Sequence, residues 1–532
     1  MAYVRSYWAV QRRSDGYGNH TIGYLGSIAI LFSNGPAMLV LPSLFQSAGW
    51  FVPTLLMLLM TVISSVAADA LVECMAAVGK NYDLQRRYEF PTLVEIYFPK
   101  QRWFFWLTVV LFNLSLIALN IGSIITAAQS IDFLAAYLGW DGALQIYPNC
   151  GLIETSVGGS ASTPFGNDVI VISLGYLIIL LVGGGLSFLN LDENVYLQTA
   201  SFLSNIIILC IWVVMWCILG LDGSRIPFLT EHQAPVVGSI VFNYAFVLMI
   251  PSWANELSKN SSVHGPVWWS TIIATVVFLM LGAFGGAALT FDRDEDLLGA
   301  MGSLPDILPG FSALGKVTAT LFPIITVIPG IPIFSVLTRY SLMNSGFCNK
   351  NWANLWAIGI PYLFTIPLYA GQGLAAVINW TAILFNGSIN FIIPFILYIR
   401  MLQLRHYDLL DAIAPAPEVG DDCCVDYETI PDPDKKLKSS SWAETLETDP
   451  LVPPQSNIPQ SSIQQSSIQQ SDPILVIEKD WLVDFRTYPT VLANYMKPWI
   501  FGLSLFVTMV VLNIVALALS FEQFVCYLIQ CN

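Results

Sequence analysis

Apolar runs long enough to cross a bilayer recur along most of this chain. They fall at about 22–46, 51–78, 103–139, 168–190, 195–220, 236–258, 267–291, 313–345, 352–371, 373–403 and 497–521. A spanning helix needs roughly 20 apolar residues, so the pattern predicts an all-α polytopic membrane protein with about eleven transmembrane helices. Composition agrees, because charged residues make up only 11% of the 532 against about 25% in soluble domains. So few charges cannot cover a water-soluble surface of this size. The lipid bilayer is therefore the expected surrounding. A net charge of −15 without a basic patch argues against a nucleic-acid partner. The first apolar run is too long for a signal-peptide core and no small-residue cleavage site follows it, so it reads as a retained helix.

Lysine and arginine orient the spans. With the N-terminus in the cytosol and alternating crossings, 19 of the 22 basic residues fall inside and only Arg225, Arg293 and Lys316 fall outside. Cytosolic loops carry such an excess, and omitting one span would invert every later loop and degrade the split. The chain then divides into a cytosolic tail 1–20, spans one to five in 21–220, and spans six to ten in 235–404. A cytosolic loop 405–496, an eleventh span 497–521 and an extracytosolic tail 522–532 complete it. The loop 405–496 is polar, acidic and proline-rich, and it repeats Ser-Ser-Ile-Gln-Gln at 461–465 and 466–470. Such a segment cannot bury a core, and it reads as a disordered linker or as a surface for regulatory proteins. On the outer side, Cys150, Cys526 and Cys531 allow one disulfide and one leftover thiol; whether Cys150 pairs with Cys526 or Cys531 is open.

The chemistry is expected where apolar spans are interrupted. In the first span Ser33-Asn34-Gly35-Pro36-Ala37 lies well inside the run. Proline removes a helix hydrogen bond and clashes with the preceding turn, and backbone groups freed in hydrocarbon must find partners. The sixth span holds a second breaker at Ile250-Pro251-Ser252-Trp253. Spans one and six correspond if spans one to five and six to ten are inverted repeats. Paired interruptions at corresponding positions point to a transporter binding site. The breaks at 34–37 and 250–253 are expected to face each other across one cavity, with Ser33, Asn243, Phe246 and Ser252 completing the lining.

The residues around the first break resemble a known family. Gly35-Pro36-Ala37-Met38-Leu39-Val40-Leu41-Pro42 followed by Ala48-Gly49-Trp50 is similar to the helix-one signature of the amino acid/auxin permease (AAAP) family, within the amino acid-polyamine-organocation superfamily. Pro251 followed by Asn255-Glu256-Leu257 is similar to the family's helix-six pattern. The resemblance covers about residues 20 to 404 and the last helix. It implies a LeuT-like fold, an inverted 5+5 repeat plus an eleventh helix, with an amino acid bound between helices one, three, six and eight. Ala37 stands where the family's second glycine falls, Pro36 replaces a usually small residue, and Pro251 and Glu256 lie one residue further apart than in many members. Leu31 stands where sodium-coupled members carry asparagine, whereas Thr326 falls where they carry a hydroxyl ligand.

Ionisable residues in spans are functional candidates. Glu256 follows the second break, and burial there would disfavour the carboxylate and suit it to exchanging a proton; the alternative is an interfacial pair with Lys259. Asp69 and Glu73 share a helix face and, like Asp132, are expected at solvated helix ends. Glycines at 183–185 and at 282, 285 and 286 are expected to let helices approach closely. The four histidines form no metal spacing, no Walker-type phosphate loop occurs, and no enzyme constellation is present. The reading is a secondary active transporter of amino acids or related small solutes. It needs no cofactor; the coupling ion is the proton in preference to sodium. A sensor that binds an amino acid and signals through its cytosolic loop is the alternative, and a channel the third class. Either the plasma membrane or an acidic organelle suits such a protein.

Overall fold

The computed structural model describes residues 22–32, 36–81, 84, 88–140, 142–148, 150–154, 165, 169–188, 194–258, 262–291, 297–305, 307–370, 379–406 and 498–530. The tail 1–20, nearly all of the loop 405–496, and Lys259 lie outside the described residues.

The chain is mostly helical. The first span is α1 (Tyr24–Leu31) and, after an interruption, α2 (Leu41–Ala48); α3 (Phe51–Ala77) is the second and α4 (Phe90–Tyr97) a short connecting helix. The third to fifth spans are α5 (Arg102–Tyr137), α6 (Leu174–Leu186) and α7 (Val195–Leu219). The sixth is α8 (Ala234–Asn243) with α9 (Ile250–Asn255), and the seventh begins with α10 (His264–Met280). After α11 (Leu297–Gly302) come the eighth span, α12 (Phe311–Thr326) and α13 (Gly330–Asn344), and the ninth, ending in α14 (Ile360–Leu368). The tenth ends in α15 (Ile393–His406), and α16 (Pro498–Gln530) is last.

Eight helices among the described residues are long and apolar enough to cross a membrane by length and composition. The first, fourth and ninth expected spans are not among them. The first is interrupted after Leu31, and the ninth passes through a wide π turn at Leu355–Gly359 before α14. The fourth was expected to begin at 168. Instead Ile170–Ile172 forms β3, and the helix starts at Leu174 with the Ser173 hydroxyl accepting the Tyr176 N–H at 3.2 Å. The consecutive apolar residues Val169 to Ile172, all β-branched, suit a strand better than a first helical turn.

Two further strands, β1 (Gly142–Tyr147) and β2 (Gly151–Glu154), complete an antiparallel sheet in the order β2-β1-β3. Ala143 lies opposite Ile153, and Leu144 opposite Ile172. Ala143 and Gln145 face inward while Leu144 and Ile146 are exposed, the period of two that a half-buried strand requires. This small sheet occupies the segment between spans three and four of an otherwise helical membrane protein.

Packing partners fall in corresponding pairs. The first half of span one packs on spans five and seven, and the first half of span six packs on the last helix as well as on spans ten and two. Spans two and seven pack together, as do three and eight.

In lipid, helices associate through close packing and hydrogen bonds rather than through apolar burial alone. Gly282 shows the effect, since a Cβ there would come within 2.5 Å of the Phe45 ring. Gly285 and Gly286 press on Pro42 in the same way, so the end of span seven nests against α2. At Gly183 a Cβ would meet the Tyr362 hydroxyl at 2.7 Å, whereas at Gly185 it would meet nothing.

Candidate functional site: two interrupted spans

The first interruption begins where α1 ends at Leu31. Phe32 takes an extended conformation (φ −67°, ψ 107°), and the chain resumes as a 3₁₀ turn over Pro36–Val40 that leads into α2. Ser33, Asn34 and Gly35 lie outside the described residues. Pro36 and Ala37 open the 3₁₀ turn, where proline's missing N–H costs no hydrogen bond. Phe32 packs edge-on against Phe202 of span five, ring centroids 5.0 Å apart.

The second interruption comes earlier than the sequence suggests. Helix α8 ends at Asn243, Tyr244–Phe246 form a turn, Val247–Met249 a 3₁₀ turn, and α9 starts at Ile250. The non-helical residues are thus 244–246, not 250–253. Pro251 occupies the first turn of α9, a position that suits it because no acceptor is waiting for its N–H; it starts the second half rather than breaking the first. The Asn390 side chain of span ten accepts the Leu248 N–H at 2.9 Å, which satisfies one group freed by the turn.

The two interrupted spans pack on each other. The 3₁₀ turn Pro36–Val40 and α2 lie against α8, and α9 lies against α1. Asn243, Phe246, Ile250 and Ser252 are all buried at this junction. Asn243 donates to Ser239 O in its own helix at 2.9 Å, and its Oδ1 has no partner among the described residues. The same is true of Asn120 Oδ1 in span three, Asn386 Nδ2 in span ten and Trp253 Nε1. Buried polar atoms left in this way cost about 1–3 kcal/mol each unless a solute or water meets them.

A third interruption, not anticipated from the sequence, lies at Val327–Pro329 in span eight. Span five satisfies the carbonyls around it: Ser201 Oγ donates to Thr326 O at 3.3 Å and Gln198 Nε2 to Pro329 O at 2.5 Å. The Thr326 hydroxyl donates to Phe322 O at 2.7 Å, which uses its proton and leaves its lone pairs.

Among the ionisable candidates, Glu256 caps α9 and is 2% exposed. Arg339, Glu89 and Glu256 all lie within electrostatic reach of Tyr340 on span eight. Asp69, Glu73 and Asp132, expected at solvated ends, are instead buried with partners from distant spans. Asp69 accepts from Trp268 Nε1 at 2.9 Å and lies 2.9 Å from His264 Nδ1. Glu73 pairs with Arg405 at 2.9 Å. Asp132 accepts the Gly175 N–H at 2.7 Å and the Tyr369 hydroxyl, so it ties the start of span four to the end of span nine.

Sequence reading missed Glu89, Asn390, Asn386 and Asn120. The asparagines carried a visible signal, as isolated carboxamides within apolar runs. Glu89 carried none, because it sits in a charged connecting segment where a solvated carboxylate is the default.

An α-helical membrane protein with several helices of spanning length and two packed, interrupted spans is the architecture of a multi-pass transporter. Residues 30–414 match the family model described as transmembrane amino acid transporter protein, and the chain belongs to this family. It is a transporter-family protein and not an enzyme. Comparison with curated proteins gives no match. Among solved structures, the chain is similar to a mutant of the manganese transporter of Eremococcus coleocola, with 12% identity, 94% of each chain covered and a TM-score of 0.46. The same transporter in complex with an aromatic bis-isothiourea compound gives 11% identity, 94% of each chain and a TM-score of 0.44.

Proposed function

We propose that this protein is a secondary active transporter of amino acids or closely related small solutes, coupled to protons. The observation that carries the reading is the pair of interrupted spans, packed against each other, in a chain of the amino acid transporter family. N–H groups freed at the start of the upper half of span one suit an anionic group such as a carboxylate. Carbonyls at the facing half-helix ends suit an amine. The site then comprises Ser33, Asn34, Gly35, Pro36 and Ala37 from span one, and Asn243, Phe246, Ile250, Pro251 and Ser252 from span six. Alternating access follows if one repeat rocks against the other around this site.

Coupling is assigned to Glu256. A proton needs one titratable group near the interrupted spans, and Glu256, which directly follows α9, is buried. A sodium ion needs several oxygen ligands at short range, and Leu31 supplies no side-chain oxygen; Thr326 and backbone carbonyls are the remaining donors. The plasma membrane or an acidic organelle would each provide the proton gradient, and the loop 405–496 is the surface for regulatory proteins.

The test is uptake of radiolabelled amino acids into liposomes holding the purified chain, with an imposed pH gradient and with or without sodium. Saturable accumulation driven by the pH gradient supports the reading. Tight binding without flux would indicate a sensor, and uncoupled conductance a channel.

A further inference from the structure

The strongest unassigned feature is a set of four hydrogen bonds between two consecutive residues of the connection after span two and the short half-helix α9. Ser252 Oγ donates to Glu89 Oε2 at 2.6 Å, and Asn255 Nδ2 donates to Glu89 Oε1 at 3.2 Å. The Asn255 carboxamide also exchanges a reciprocal pair with the Tyr88 backbone, accepting its N–H at 3.1 Å and donating to its carbonyl at 3.2 Å. All four residues are buried, Glu89 at 3% exposure.

Helix α9 has six residues, too few to hold its own geometry, since isolated helices below about 12 residues are marginal. Its position is set by what it is tied to. Beyond Glu89 and Tyr88, the residues just after α9 are bridged to the start of span one: Ile22 N donates to Glu256 O at 3.2 Å and Ser258 N to Ile22 O at 3.1 Å. These contacts lie on the side that the basic residues assign to the cytosol. Glu89, α9 and the entry to span one are thereby joined as one closed layer beneath the interrupted spans.

We propose that Glu89 is a positioning residue for transport: it latches the lower half of span six closed toward the cytosol, and the latch must open for solute to leave on that side. This rests on the transport reading above. A carboxylate suits the task. It makes stronger hydrogen bonds than a neutral acceptor while the layer is closed. Once the layer parts, water replaces those bonds, so the net cost of each opening is small compared with the gross strength of the bonds. An apolar contact at the same place would gain nothing from hydration.

The test reads opening directly. Ile22→Cys places a thiol at a position that is fully buried in the closed layer, and a membrane-impermeant maleimide is applied to either face of liposomes holding the full chain. The parent without the added cysteine gives the background. We expect labelling from the cytosolic face to rise several-fold in Glu89→Ala and by an intermediate factor in Glu89→Gln, which keeps one acceptor oxygen. Apparent affinity for a transported amino acid should weaken from the outer face and tighten from the cytosolic face, because a shifted population moves the two in opposite directions. A purely architectural role would lower the yield of folded protein without that asymmetry. Should Glu89→Ala fail to fold, Glu89→Gln and Asn255→Ala, which each weaken part of the latch, carry the same comparison. Unchanged labelling in folded variants, or acceleration from the outer face alone, overturns the latch. Labelling requires no flux, so a parent protein that labels as expected but transports nothing counts against the transport reading and not against the latch.

Discussion

The side-chain oxygen of Asn390 accepts the backbone N–H of Leu248 at 2.9 Å. One residue of span ten therefore satisfies the turn that divides span six, while its own Nδ2 donates to Asn386 O at 3.0 Å in the same helix. The interruption is held open by a neighbour and is not simply a local kink.

Replacing Asn390 with Ala should destabilise the protein by about 1–3 kcal/mol, the cost of leaving a buried donor without an acceptor. Thermal melting of the detergent-solubilised protein measures this. A melting temperature equal to that of the parent would show that the Leu248 N–H finds another partner.

Gly49 explains part of the Ala48-Gly49-Trp50 motif. It joins α2 to α3 at φ +86°, and a Cβ there would lie 2.8 Å from the carbonyl oxygens of Pro227 and Phe228. The adjoining Trp50 N–H donates to Pro227 O at 3.0 Å. Gly49→Ala should destabilise by at least about 1–3 kcal/mol from backbone strain, with the contact against 227–229 adding to it. A Gly49→Ala protein that melts with the parent contradicts this geometry.

Asp132 serves span four from span three. It accepts the Gly175 N–H in the first turn of α6, where a negative charge also complements the helix dipole. Asp132→Ala should cost about 1.5–3 kcal/mol, the range for hydrogen bonds to charged groups. Asp132→Asn should cost less. Because Tyr369 donates to the same carboxylate, Tyr369→Phe combined with Asp132→Ala should cost less than the two single effects added. Full additivity in melting or denaturant titration would show that the two residues do not share one network.

The charge split predicts eleven crossings with the N-terminus in the cytosol and the chain end outside. An epitope placed after Asn532 should be reached by antibody on intact cells or sealed vesicles only from the outer face. Access confined to the cytosolic face would remove a span from the count and reverse the later loops.

Coupling is tested at Glu256. Glu256→Gln keeps the size of the side chain and removes its proton exchange near neutral pH. It should abolish accumulation driven by a pH gradient while substrate exchange continues. Accumulation by Glu256→Gln against a gradient, or parent uptake that follows sodium at fixed pH, would assign the coupling elsewhere.

The sequence by itself determined the membrane class, most of the apolar helices and the first interruption. Each depends on local properties: the length and apolarity of a run, or a proline next to a glycine. The family signature is also local, since Gly35 to Pro42 and Ala48 to Trp50 fall within the first span and the turn that ends it. What the tertiary structure decided depends on residues far apart in the chain. Whether Pro251 broke a helix or began one turned on Asn390, which lies 142 residues from Leu248. Asp69, Glu73 and Asp132 looked like solvated ends until His264, Trp268, Arg405 and Tyr369 arrived from other spans to pair with them. Glu89 looked like one more charge in a connecting segment, and only the fold placed it 2.6 Å from Ser252, 163 residues away. A buried charge is tolerated only where partners converge on it, and partners drawn from separate spans leave no trace in the spacing of any one of them.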